Sequence, residues 1–144
     1  MIYCRGGFRA VRYKLLEHTA DAMVEAYGKD IGERFANAAY AMFDQITDVT
    51  KVVPKGELKV VLESDSKEQL LVDFLQELLF LHDAEGLVFS EFDVKTDGRK
   101  IECVARGEKF DEKRHPKRSL VKGVTYHGLE FDDKEGSITV LFDV

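Results

Sequence analysis

Ser66-Lys67-Glu68-Gln69-Leu70-Leu71-Val72-Asp73-Phe74-Leu75-Gln76-Glu77-Leu78-Leu79-Phe80-Leu81 is the stretch on which the fold turns. Leu70, Leu71, Phe74, Leu75, Leu78, Leu79 and Leu81 recur at helical spacing and form one wide apolar face. Ser66 stands where an N-cap accepts from free backbone N–H groups, with Gln69 three residues on in the capping-box position. Gly86 is placed to stop the helix in a left-handed turn. Asp73, Gln76 and Glu77 interrupt the apolar run, and no segment reaches the ~18 apolar residues that a membrane-spanning helix needs. The stretch is therefore an amphipathic helix that requires a sheet to cover its apolar face.

Strand signals lie on both sides of it. Upstream, Leu58, Val60 and Leu62 alternate with Lys59, Val61 and Glu63 after a Pro54-Lys55-Gly56 turn. Before that, Asp30 caps a first helix, with Glu33 again in the capping-box position. Ile31, Phe35, Ala38, Ala39, Met42, Phe43 and Ile46 share one of its faces, and the alanine pair predicts close packing on a sheet. Tyr13 to Leu16 and Met23 to Tyr27 read as strands, the second stopped by Gly28. Downstream, Leu87 to Thr96 and Lys100 to Gly107 form a hairpin around Asp97-Gly98, with Ile101, Cys103 and Ala105 on one face. Glu108 to Ser119 is charged, contains Pro116 and reads as a long loop, a kind of segment that often carries function. Leu120 to His127 is expected to be a strand turned by Gly128, followed by a short one over Leu129 to Asp132 and a last one over Ser137 to Asp143. Tight turns between the strands favour antiparallel pairing. The class is α+β, two amphipathic helices packed on a mostly antiparallel, mixed β-sheet, in one domain over residues 13–144 with residues 1–12 as an N-terminal extension.

The chain has 144 residues, enough for one core, and 44% of them are hydrophobic. The start of the chain lacks the apolar stretch of a signal peptide, and the expectation is a cytoplasmic protein. Two lone cysteines, Cys4 and Cys103, fit reduced thiols better than a metal knuckle. A net charge of −6, from 21 Lys+Arg against 27 Asp+Glu, argues against stable direct binding of nucleic acid. Local basic stretches do occur, at Arg5 to Lys14 and at Lys109 to Arg118, and a solvated surface explains both. The chain has no phosphate-cradling glycine loop, no Gly-x-Ser-x-Gly elbow and no pair of histidines at zinc-hydrolase spacing.

The densest polar chemistry is Glu17-His18-Thr19-Ala20-Asp21, directly ahead of the strand that begins near Met23. Asp21 at a strand mouth either caps a turn or contributes to a hard-cation site, which needs several oxygens from different strand ends. For the second, Asp143 is the natural partner, with a further oxygen from Val144. His18 is either a ligand or a hydrogen-bonded structural residue, and Glu17, Lys122 and His127 are candidates to line the same patch.

In order along the chain come Leu16-Glu17-His18-Thr19-Ala20-Asp21, Ala26-Tyr27-Gly28, Phe35-Ala36-Asn37-Ala38-Ala39 and Met42-Phe43-Asp44 with Thr47-Asp48. Leu78-Leu79-Phe80-Leu81 follows, with Glu85-Gly86-Leu87-Val88-Phe89-Ser90, then Gly107-Glu108 with Phe110-Asp111. Val121-Lys122 with Val124-Thr125-Tyr126-His127-Gly128-Leu129 and the closing Leu141-Phe142-Asp143-Val144 complete the set. Together these segments resemble the archease family over nearly the whole chain from Tyr13. The resemblance implies a non-catalytic protein cofactor of a GTP-dependent RNA-splicing ligase, which joins cyclic-phosphate or 3′-phosphate RNA ends to 5′-hydroxyl ends. It implies that the cofactor promotes guanylylation of the ligase and its repeated turnover. It also implies a second role, as a chaperone or specificity modulator of a tRNA cytosine methyltransferase. By resemblance the metal site is Asp21, Asp143 and Val144, holding a divalent metal, calcium first and magnesium or manganese as alternatives. The chain departs from the family pattern at Ala22 and Met23, where a branched residue and glycine are usual.

Overall fold

A computed structural model describes residues 11–16 and 21–144. The elements are β1 (Tyr13–Leu16), β2 (Ala22–Tyr27), α1 (Ile31–Ile46), a 3-10 turn at Val49–Lys51, β3 (Gly56–Glu63), α2 (Lys67–Glu85), β4 (Leu87–Thr96), β5 (Lys100–Lys109), β6 (Gly123–Asp132) and β7 (Ser137–Asp143). The class is α+β, as expected. The one mixed sheet, however, resolves into two sheets, ordered β1-β2-β7-β6 and β3-β5-β4, with every pairing antiparallel.

The two helices join the sheets. α1 packs on β2 and β7 of the first sheet and on β4 of the second, and α2 packs on β6 and on β3, β4 and β5. This is why α1 is buried almost all round. Phe35, Ala38, Ala39, Ala41, Met42 and Phe43 are fully buried, and the small alanines let backbone approach from two sides. Phe43 sits at the junction, with the Phe89 ring edge-on at 5.5 Å, Phe92 stacked at 5.9 Å and His82 edge-on at 6.2 Å.

Both caps form. Asp30 accepts from the Glu33 N–H at 2.8 Å, while the Glu33 carboxylate accepts from Lys29 N–H, one residue earlier than a standard capping box. Ser66 accepts from Gln69 N–H at 3.1 Å, and Gly86 ends α2 at φ 70.

The C-terminal part of the chain departs from expectation in one respect. Leu120 to Lys122 lie outside any strand, and Gly128 does not separate two strands. β6 runs through from Gly123 to Asp132 with a bulge instead. Thr125 pairs with Leu141 and Glu130 with Thr139, so Tyr126 to Leu129 together oppose Val140 alone. Gly128, at φ 76, supplies the left-handed conformation the bulge requires, and a side chain there would crowd the Met23 methyl. No helix among the described residues is long and apolar enough to cross a membrane.

Candidate functional site

The antiparallel register of β2 and β7 pairs Ala22 with Phe142 and Met23 with Leu141. Carried one residue further, it sets Asp21 beside Asp143 at one end of the first sheet. Strand alternation puts both on the face that carries Met23 and Leu141, opposite the core face of Val24, Val140 and Phe142. Asp21 is half-buried and Asp143 exposed. The side chain of Val144 packs against the core, so at the sheet end this residue offers main-chain oxygen. Lys122 comes to the same end: Gly123 pairs with Asp143, and the Lys122 N–H donates to the Asp143 carbonyl at 2.6 Å, leaving the Lys122 side chain exposed. His127 sits on the bulge opposite Val140, ~10 Å along the strand from Asp143, and its N–H donates to Thr125 Oγ1. Glu17 and His18 lie outside the described residues.

The donors that gather here are all oxygen. Two carboxylates and a main-chain oxygen suit a hard cation and are too few to complete its shell without water or a partner's groups. Consistent with that shortfall, no group of three or more His, Cys, Asp or Glu side chains among the described residues is arranged to hold a metal ion.

The loop after β5 approaches the same sheet end through Lys122, and its rigidity has a source that sequence reading missed. Glu108, at the end of β5, is almost wholly enclosed; its side chain is 1% exposed. It accepts two parallel bonds from Arg114 at 2.8 and 3.0 Å, one from Val53 N–H at 2.9 Å, and one from His115 Nε2 at 2.9 Å. His115 Nδ1 accepts from the Asp111 N–H, which fixes Nε2 as the donating nitrogen. Arg114's paired bonds hold the Glu108 carboxyl down at about 2; burial opposes them, and the Val53 and His115 bonds assist. Farther on, Arg118 N–H and Ser119 N–H donate to the Ile46 and Gln45 carbonyls, and Thr47 Oγ1 donates to the Pro116 carbonyl. The loop thus caps the free carbonyls at the C-terminus of α1. The available signal was a histidine inside a charged stretch, which periodicity does not detect.

Beside this loop, Tyr13 donates to Asp44 Oδ2 at 2.6 Å, and Arg118 donates to Asp44 Oδ1 at 3.1 Å. Burial, then the bond to Asp44, raises the Tyr13 hydroxyl well above the ordinary phenol range. Cys103 is buried in β5, and burial pushes its thiol up to about 12, away from the thiolate form that a nucleophile needs.

A family model described as the archease protein family (MTH1598/TM1083) matches residues 13–144. The chain is 42% identical over 125 residues to the archease of Pyrococcus abyssi, covering 84% of this chain and 88% of that protein. It is 38% identical over 135 residues to that of Sulfurisphaera tokodaii, covering 92% and 97%. Among solved structures it is similar to Methanobacterium thermoautotrophicum protein 1598, at 40% identity and TM-score 0.76, covering 92% of this chain and 99% of that one. A Thermotoga maritima archease described as a possible chaperone shares the fold, at 21% identity and TM-score 0.62.

Proposed function

Because the chain belongs to the archease family, we propose that it is a non-catalytic accessory protein of a GTP-dependent RNA-splicing ligase, acting in tRNA processing to promote the ligase's guanylylation and repeated turnover. The observation that carries this reading is the meeting of Asp21 and Asp143 at one sheet end, with Val144 and Lys122 beside them. An acidic tip with an adjacent lysine is suited to entering a partner's nucleotide pocket. There the carboxylates orient around positive charge and the lysine meets phosphate. A divalent metal, calcium or else magnesium or manganese, would be held by Asp21, Asp143 and Val144 and would supply further positive charge near phosphate oxygens. The chain's own residues do the rest: the β2–β7 register holds the two carboxylates together, and the Lys122 N–H bond to the Asp143 carbonyl fixes the approach of β6.

The test is RNA ligation by the cognate ligase with this protein present, measured alongside calorimetric titration of Ca²⁺ and Mn²⁺. Asp21→Asn and Asp143→Asn should keep the melting temperature of the parent, lose stimulation, and weaken cation binding by about tenfold or more. Unchanged stimulation in both variants would remove the carboxylate pair from the mechanism.

A second reading, a chaperone or specificity modulator of a tRNA cytosine methyltransferase, draws on the large apolar side chains exposed among the described residues, Leu15, Val53, Val61, Phe80, Leu120 and Tyr126. It requires that the protein suppress aggregation of that enzyme at equimolar ratio. No suppression would dismiss it.

A further inference from the structure

The last turn of α1 carries one carboxylate on which two separate segments close. Asp44 Oδ2 accepts from the Tyr13 hydroxyl of β1 at 2.6 Å, and Oδ1 accepts from Arg118 Nη1 at 3.1 Å and from the Val49 N–H at 3.3 Å. The same Nη1 donates to the Asp44 carbonyl at 2.9 Å, so the guanidinium grips both the side chain and the main chain of one residue. Arg118 Nη2 adds a looser contact to Asp48 at 4.0 Å. Both segments run on to the end of the sheet where Asp21 and Asp143 meet. β1 ends at Leu16, which pairs with Met23, two residues past Asp21. On the other side, Arg118 N–H and Ser119 N–H are fastened to the Ile46 and Gln45 carbonyls. Only Leu120 and Val121 then intervene before Lys122, whose N–H donates to the Asp143 carbonyl at 2.6 Å.

The chain from Ser119 to Lys122 reaches at most about 11 Å. Val121 within it is buried, so a displacement at Arg118 passes on to Lys122. The Arg118 side chain is 45% exposed and that of Asp44 21%, and an ion pair this open adds little to global stability. What it fixes is place. We propose that Asp44 is a positioning residue: through Arg118 it holds Lys122 beside the Asp21–Asp143 pair. Tyr13, by occupying the other oxygen of Asp44, fixes the orientation in which Oδ1 meets Arg118. The lysine and the two carboxylates thereby keep one spacing at the sheet end. Asp44 itself lies at the end of α1 and acts only through the segment that leads to Lys122. Its consequence for ligation rests on the accessory-protein reading above; its effect on Lys122 does not.

The experiment follows amide hydrogen exchange by NMR in the full chain, for the parent, Asp44→Asn, Arg118→Gln and the double variant, alongside multiple-turnover RNA ligation by the cognate ligase. Lys122 N–H should exchange about tenfold faster in each single variant, while His115 N–H, which donates to the Asp111 carbonyl in a separate cluster, should stay within about twofold of the parent. The double variant should exchange no faster at Lys122 than either single one, because both changes break the same pair. In ligation, each variant should lower stimulation at saturation by about fivefold or more, with the concentration for half-maximal stimulation kept within about twofold. Exchange at Lys122 equal to the parent's overturns the proposal, as does Lys122 and His115 speeding together, which is general loosening, or additive effects in the double variant. Full stimulation by variants whose Lys122 exchanges faster overturns it too. A parent that does not stimulate defeats the ligase reading alone, and the exchange rates then decide the positioning.

Discussion

Glu108 shows what a single carboxylate does when the fold encloses it. Its carboxyl falls from 4.5 to about 2 because Arg114's two bonds outweigh the penalty of burial. In the unfolded chain the ordinary value returns, so the stabilisation is complete above about pH 4.5 and is lost as pH drops toward 2. Glu108→Gln should lower stability at pH 7, because Arg114, His115 Nε2 and the Val53 N–H all lose an ionised acceptor. The same variant should flatten the fall in stability over that acid range, which urea unfolding at several pH values would measure. Parallel pH slopes for parent and variant would contradict this. The meeting of Asp21 and Asp143 at one sheet end was legible in the sequence because a polar cluster abuts one strand and an aspartate ends another. Glu108 was not, since nothing in a charged loop announces which carboxylate its arginine and histidine enclose.

At the scale of elements, the bulges and turns distinguish glycines that look alike in sequence. Phe89 pairs with Gly107 and Glu91 with Arg106, leaving Ser90 as the extra residue of a bulge in β4. A Cβ on Gly107 would run into the Val88 carbonyl and the Phe89 Cα. Gly107→Ala should therefore cost about 3 kcal/mol or more, or prevent folding altogether. Gly86 faces open space at φ 70, so Gly86→Ala should cost only about 1–2 kcal/mol, from backbone strain alone. Thermal melts of the two variants should separate accordingly, and equal melting temperatures would show that the Val88 contact is relieved by a small shift of β4. Both helices and their caps could be read directly, because helical period and cap chemistry are local. Gly128 was misread as a turn because a glycine at positive φ serves a bulge equally well, and only the partner strand β7 distinguishes them.

Across the whole molecule, α1 is the shared core of two sheets, touching β2 and β7 on one side and β4 on the other. Which strands share a sheet is a non-local choice, and hydrophobic period does not encode it; hence one sheet was expected where there are two. Sharing α1 makes the sheets interdependent. Phe43→Ala, at the helix–sheet junction, should cost about 3–5 kcal/mol. Hydrogen exchange should show protection in β2, β7, β4 and β5 falling together, and loss confined to β4 and β5 would mean that the sheets unfold separately. The same arrangement supports the β2–β7 end on which Asp21 and Asp143 meet, so the proposed function depends on the fold as a unit. The most direct measurement is multiple-turnover RNA ligation by the cognate ligase, with GTP and Mn²⁺, in the presence of the parent protein, Asp21→Asn or Asp143→Asn. The parent should raise both ligase guanylylation and turnover, and each variant, folded as the parent is, should raise neither. Equal stimulation by the variants, or none by the parent, would contradict the carboxylate pair as the working end of the molecule.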